Sequence, residues 1–239
     1  SRPGIVAITK PEIIKYLAEI GEIYGGPEGK CRFIHNTEFI VSPLTMNKKV
    51  AACILEKAKY TAPIGIGTMP VSGSTAPVTI AGVVTLATAE IISGWIVVNS
   101  VNENTEISGC IASGMMDMTT TRTCLSTPET MLQDMGVHQL FRRLYGCYLE
   151  VPWFVVDAKV PGLQASYEKC FKVFALESLR IGHFTGFGLG SLDGGTTFSP
   201  TQAMVELDLV RGIWQLFHGI KVTNETIALD IIEGVGVGG

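Results

Sequence analysis

A strand followed by a capped helix recurs roughly every 30 to 45 residues along this chain, and that rhythm restricts the fold more than any other feature. Three helix starts share one chemistry: Thr9-Lys10-Pro11-Glu12, Ser126-Thr127-Pro128-Glu129 and Ser199-Pro200-Thr201-Gln202. In each, a hydroxyl can accept a free amide of the first turn, proline suits the first helical position, and Glu or Gln can reach back to complete a capping box. Extended stretches are expected at residues 4–8, 31–35 continuing at 39–41, 63–67, 106–112, 148–154 and 183–187. Helices are expected to about Tyr24, over 46–59, 78–98, about 128–145, 161–179 and from 200, with a last one starting at Thr223. Val50, Ile54 and Leu55 should face inward from the second helix, and Ile227, Ile231 and Ile232 from the last. The helix after Pro200 repeats Ala203, Leu207, Val210, Trp214 and Phe217 at helical spacing, which gives it one apolar face.

With no hairpin signal between neighbours, this is the pattern of βαβ units on a parallel sheet, either open and doubly wound or closed into a (β/α)8 barrel. No GxGxxG follows the first strand, and the loops rich in polar residues all follow strands. The expected fold is therefore α/β, a (β/α)8 TIM barrel, with residues 1–239 as a single domain. About six units are visible where a barrel needs eight. The chain also opens without Met and stops inside Gly234-Val235-Gly236-Val237-Gly238-Gly239, so the barrel is expected to be incomplete.

A net charge of −4 gives no electrostatic reason to expect nucleic acid. Six scattered cysteines form no CxxC pair, and the four histidines form no HxxxH or HxxEH pattern. Buried free thiols in a reducing cytoplasm, with no bound metal, are the expectation. A mean hydropathy of +0.33 and the apolar run at 78–98 raise the question of a membrane span. Glu90 in the middle of that run, with Thr and Ser around it, favours instead a helix buried on most sides within a soluble domain.

If every strand points the same way, the loops after them converge on one mouth. They bring Ser74, Thr75, Asp117, Trp153, Asp157, Lys159, Asp193, Thr196 and Thr197. Asp157 and Lys159 alternate on one side of an extended stretch, where they form an ion pair or serve one ligand. Lys159 also suits a Schiff base if it is desolvated. Trp153 and Phe154 belong either to the core or to a cage for a quaternary ammonium, which an aromatic face attracts. Glu90, in apolar surroundings, must find a partner or lose its charge. The turn at 188–198 is expected to join a strand to a helix. Gly194-Gly195 either make a tight turn or bring amides up to a ligand beside the helix N-terminus. Met115, Met116 and Met118 read as adaptable packing, and His183 as a core histidine.

Taken in order, several stretches resemble the trimethylamine methyltransferase family of corrinoid-dependent methyltransferases. They are Ser74-Thr75-Ala76-Pro77-Val78-Thr79, Met116-Asp117-Met118, Ser126-Thr127-Pro128-Glu129, Asp157-Ala158-Lys159-Val160-Pro161 and Tyr167-Glu168-Lys169. Leu192-Asp193-Gly194-Gly195-Thr196-Thr197-Phe198-Ser199-Pro200 and Ala228-Leu229-Asp230 complete the set, which spans residues 42–239, with 1–41 matching less clearly. The resemblance implies a barrel that holds a methylated amine and passes a methyl group to the Co(I) of a corrinoid carried by a cognate partner protein. On this reading the candidate catalytic residues are Asp157 and Lys159, and the candidate substrate-binding residues are Trp153, Glu90, Asp117, Phe187, Asp193 and Thr196. Gly194 and Gly195 face the cofactor, and the protein is expected to be a cytoplasmic homo-oligomer. Members acting on trimethylamine contain pyrrolysine, and none is visible here, so the resemblance points to glycine betaine or a related quaternary amine. Departures are Asp157-Ala158-Lys159, where members commonly read Asp-Ser-Lys, and Phe187-Gly188-Leu189-Gly190-Ser191 before the LDGG motif. Two other readings stay open: a barrel lyase or aldolase using Lys159, and a binding homologue without turnover.

Overall fold

The computed structural model describes residues 8, 10–26, 34–179 and 188–239. Residues 4–7 of the first expected strand, most of 31–35, the strand expected at 183–187, and the residues Thr9, His183 and Phe187 lie outside those described. A 3-10 turn over Pro11–Ile13 enters α1 (Ile14–Gly25), followed by β1 (Thr37–Ile40), α2 (Lys48–Ala58), β2 (Ile64–Thr68), β3 (Val71–Ser72) and α3 (Ile80–Val101). Then come β4 (Ile107–Ile111), β5 (Gly114–Met116), β6 (Thr123–Cys124), α4 (Pro128–Tyr145) and α5 (Leu163–Ser178). The chain closes with β7 (Ser191–Leu192), β8 (Thr197–Phe198), α6 (Pro200–His218), α7 (Asn224–Ile227) and α8 (Leu229–Val235).

β1, β2 and β4 form a parallel sheet in chain order, with Ile40 beside Thr68 and Thr68 beside Ile111. One parallel bridge, Cys110 to Glu150, continues that order. The strand expected over 148–154 is reduced to this bridge, because Pro152 has no amide to give a ladder and the chain turns at Trp153 and Phe154. Ile40, Ile54, Ile64, Ile66 and Val98 fill the space between the sheet and α2 and α3. Ala87, Ile91, Ile111, Val137, Phe141 and Leu149 do the same between β4, α3 and α4. Gly94 permits this approach: a Cβ there would stand 2.5 Å from the Ile66 Cγ2.

α3 is long and apolar enough to cross a membrane. The expectation of burial on most sides is corrected: it buries one stripe, Val83, Ala87, Glu90, Ile91, Gly94 and Val98, against the sheet. Ile96 on the far side is 62% exposed. The hydroxyls of Thr85, Thr88 and Ser100 donate to carbonyls four residues back, so this face presents few free polar groups.

Further corrections concern loops and helix faces. Two hairpins appear that the sequence did not announce, β5–β6 and β7–β8. The second makes the glycine-rich turn a hairpin of its own, with Asp193, Gly194 and Gly195 all at positive φ. α6 buries Gln202, Glu206, Val210 and Ile213, so Val210 alone of the apolar row is buried, and Trp214 is left 43% exposed. Ser199 does cap α6, but Gln202 does not close a capping box. Its side chain instead accepts from the Gly162 amide and donates to Ser166. Leu55 is exposed, and the last helix breaks at Ala228, whose φ is 53, leaving Ile227, Ile231 and Ile232 exposed.

Candidate functional site

Residues 155–158 are where three distant stretches are fastened together. The Val155 carbonyl accepts from the buried Lys172 ammonium of α5 at 2.6 Å and from the Ser126 hydroxyl at 3.1 Å. The Val156 and Ala158 carbonyls accept the amides of Gly194 and Asp193, each at 2.8 Å. Glu168 of α5 accepts the amides of Asp157 and Ala158 at 2.7 and 3.1 Å, and Gln164 donates to its other oxygen. The Asp157 carboxylate reaches the segment entering α4, where it accepts from Leu125 at 2.8 and 2.9 Å and from Ser126 at 2.8 Å. Burial pushes the Asp157 carboxyl above its ordinary value, against the amides that favour its charge.

The expected pairing of Asp157 with Lys159 is corrected. The Asp157 lone pairs go to backbone amides, while the Lys159 ammonium lies 3.8 Å from Asp193, with the two side chains 65% and 46% exposed. The Thr196 hydroxyl donates to the carbonyl and carboxylate of Asp193 and stays at the surface. Gly194 does not offer its amide to a ligand as expected, because that amide is bonded to Val156. Gly195 is exposed, with φ +96, a conformation that favours glycine. So the structure brings together Asp157, Lys159, Asp193, Gly194, Gly195 and Thr196.

Trp153 packs with Val173, Val210, Ile213, Cys170 and Leu189, and stands edge-on to Phe154 at 6.4 Å. Glu90 is fully buried and has found its partners at the C-terminal ends of β1 and β2. It accepts from the Ser42 hydroxyl at 2.8 Å, the Leu44 amide at 2.9 Å and the Thr68 hydroxyl. Asp117 shapes the β5–β6 turn, where the Thr120 hydroxyl and Thr119 amide hold its carboxyl below the ordinary value. Phe187 lies outside the described residues.

Sequence reasoning missed the charged groups behind the segment. Asp134 of α4 accepts the Ser113 amide at 2.8 Å, and burial pushes its carboxyl up to about 7. Lys169 of α5 pairs with Glu206 of α6 at 2.7 Å, with both side chains buried, and also donates to the Gly188 carbonyl. Burial lowers the pKa of both Lys169 and Lys172. The signal was present: Glu168, Lys169 and Lys172 share the helical spacing of Ala165, Val173 and Leu176, so charges stand on a core-facing stripe.

A family model described as trimethylamine methyltransferase (MTTB) matches residues 1–239, including the first 41, where motifs were sparse. Trimethylamine methyltransferase MttB of Methanosarcina barkeri (strain Fusaro) is 29% identical over 231 residues, 95% of this chain and 46% of that protein. MttB of Desulfitobacterium hafniense is 28% identical over 202 residues, 83% of this chain and 39% of its own length. Glycine betaine methyltransferase of Desulfitobacterium hafniense (strain Y51) is 24% identical over 199 residues, 83% of this chain and 41% of that protein. The chain spans about half the length of the curated relatives it matches.

Proposed function

Since this chain belongs to the trimethylamine methyltransferase family, we propose that it supplies part of a (β/α)8 barrel methyltransferase acting on glycine betaine or a related quaternary amine, with the Co(I) of a corrinoid protein as methyl acceptor. The match over residues 1–239 is the observation that carries the reaction class. Parallel strands paired in chain order, with helices returning between them, support the barrel. The cytoplasm and a homo-oligomer belong to the same reading.

One geometric feature favours glycine betaine over trimethylamine. Lys159 and Asp193 hold opposite charges 3.8 Å apart at an open position. That suits a zwitterion, whose carboxylate would meet the ammonium and whose methylated cation would meet the carboxylate; trimethylamine has no carboxylate. Loss of a methyl group from a quaternary ammonium releases a neutral amine, so this chain need not protonate a leaving group. Its tasks are to hold the cation, exclude water and orient one methyl. In this reading the cobalt is carried by the corrinoid of the partner protein, and this chain presents the methyl group to it. The lyase reading asks for a desolvated lysine, and a Lys159 side chain that is 65% exposed does not provide one.

The test is methyl transfer by the full-length protein from glycine betaine, trimethylamine and a panel of quaternary amines. The acceptor is Co(I) cobalamin, free or on the cognate corrinoid protein, followed by its absorption spectrum. Transfer from a quaternary amine is expected, and Lys159→Met should raise KM for glycine betaine while leaving amines without a carboxylate little changed. Silence with both acceptors, alongside measurable amine binding, would leave a binding protein in place of an enzyme.

A further inference from the structure

Behind residues 155–158, between α4 and α5, lies a buried polar cluster that the methyl-transfer reading does not use. Asp134 of α4 and Lys172 of α5, each 6% exposed, line one small cavity with Met131, Val151, Pro152 and Leu176. Its volume of about 10 Å³ is room for roughly one water molecule. Three carboxyl groups act on the single Lys172 ammonium, those of Asp134, Asp157 and Glu168. They are unequally compensated. Asp157 accepts bonds from two backbone amides, and Glu168 accepts two more together with the Gln164 side chain. Asp134 is served by one residue, Ser113, through its amide at 2.8 Å and its hydroxyl.

Among the described residues, Lys172 is the cation that acts on Asp134. The Cys110 thiol of β4 feels both Asp134 and Glu150 of the following bridge. His138, one turn along α4, is bonded to the Leu149 carbonyl, and Lys169 is turned toward Glu206. Asp134 is buried and accepts from Ser113 alone, so its burial favours the protonated form.

We propose that Asp134 and Lys172 are positioning residues for the 155–159 segment, the ammonium holding the Val155 carbonyl and the proton on Asp134 setting how firmly it holds. With Asp134 neutral, the ammonium answers Val155, Asp157 and Glu168. When Asp134 ionises, its proton leaves to solvent and the new carboxylate draws the ammonium across the cavity toward α4. The segment that carries Lys159 is then loosened on its inner side. Burial of Asp134, which raises its pKa to about 7, places the change near neutral pH. The inference concerns this segment alone and does not depend on which reaction the protein performs.

Amide hydrogen exchange, corrected for its intrinsic pH dependence, reads it directly on the peptide covering residues 153–160. Protection in the wild type should fall about tenfold between about pH 5.5 and about pH 8.5, the scale of one unit of proton linkage. Asp134→Asn, a neutral stand-in for the protonated acid, should keep high protection throughout, and Lys172→Met should be weakly protected at both ends. Asp134→Asn with the wild-type fall, or Lys172→Met with wild-type protection, would overturn the proposal. Should either variant fail to fold, the Asp134 carboxyl is titrated in the wild type by carbon-13 NMR. A midpoint shared with the protection change supports the latch, and a separate midpoint rejects it.

Discussion

Replacing Asp157 with alanine removes the acceptor from two backbone amides at the entrance of α4. They are Leu125, at 2.8 and 2.9 Å from the two oxygens, and Ser126, at 2.8 Å. A hydrogen bond to a charged acceptor contributes ~1.5–3 kcal/mol, and an amide left buried without a partner costs ~1–3 kcal/mol. Two donors therefore set an upper scale of roughly 3–6 kcal/mol. The carboxylate's own burial, which outweighs the amides in moving its pKa upward, offsets part of that. We expect a net loss of about 3 kcal/mol, which in a domain of this size lowers Tm by roughly 6–12 °C. Thermal and urea unfolding at neutral pH measure it. Asp157→Asn keeps one oxygen for the amides and should lose less than half as much. If Asp157→Ala melts within about 2 °C of the wild type yet abolishes methyl transfer, the carboxylate serves the chemistry and the structural account is refuted.

Breaking the Lys169–Glu206 pair with Lys169→Met leaves a buried carboxylate without its cation and should cost about 3–5 kcal/mol in urea unfolding. The double variant Lys169→Met with Glu206→Leu should recover much of that loss, and failure to recover would mean the pair acts beyond its charge. Asp134 has a folded-state pKa raised from 3.8 to about 7, so its contribution to stability is complete below the lower value and is lost as pH rises through the upper one. Tm across that window should decline more in the wild type than in Asp134→Asn, and parallel curves would contradict the assignment. Trp153→Ala should lower stability by about 2–3 kcal/mol through lost packing on Val173, Val210 and Ile213. An unchanged Tm with weaker amine binding would move the ring into a cation cage.

The caps and strand positions were legible because they depend on local chemistry. Thr127 and Ser199 do accept first-turn amides, β4 falls within its expected stretch, and β2 overruns its own by one residue, Thr68. What escaped was set by contacts between remote segments. Gln202 sits where a capping box would use it, yet Gly162 and Ser166, about forty residues earlier, offer bonds in the interior. The turning of α6 away from its apolar row follows, because Glu206 must reach Lys169 and the Gly190 amide. Likewise, an Asp and a Lys two residues apart look like partners on any extended chain. Only the fold reveals that one is drawn to Ser126 and the other to Asp193. The family motifs around Asp157 and Asp193 did mark one spatial cluster, whereas Glu90 and Asp117 secure other turns.

The junction at residues 155–158 also bears on how the chain reaches its native state. Each strand pairing in the sheet brings two segments together, as Thr37 meets Gly65 and Ile64 meets Ile107. The junction needs residues 125–126, 168–172 and 193–194 at once, and its bonds to Leu125 and Ser126 span 32 and 31 positions. Gathering several segments costs more entropy than pairing two strands, because more than one loop must close before the bonds are complete, so this region should assemble late. A nascent chain would accordingly acquire its sheet while Asp157 still awaits the turn at Asp193, which makes completion of that turn the last checkpoint before the segment carrying Lys159 is set.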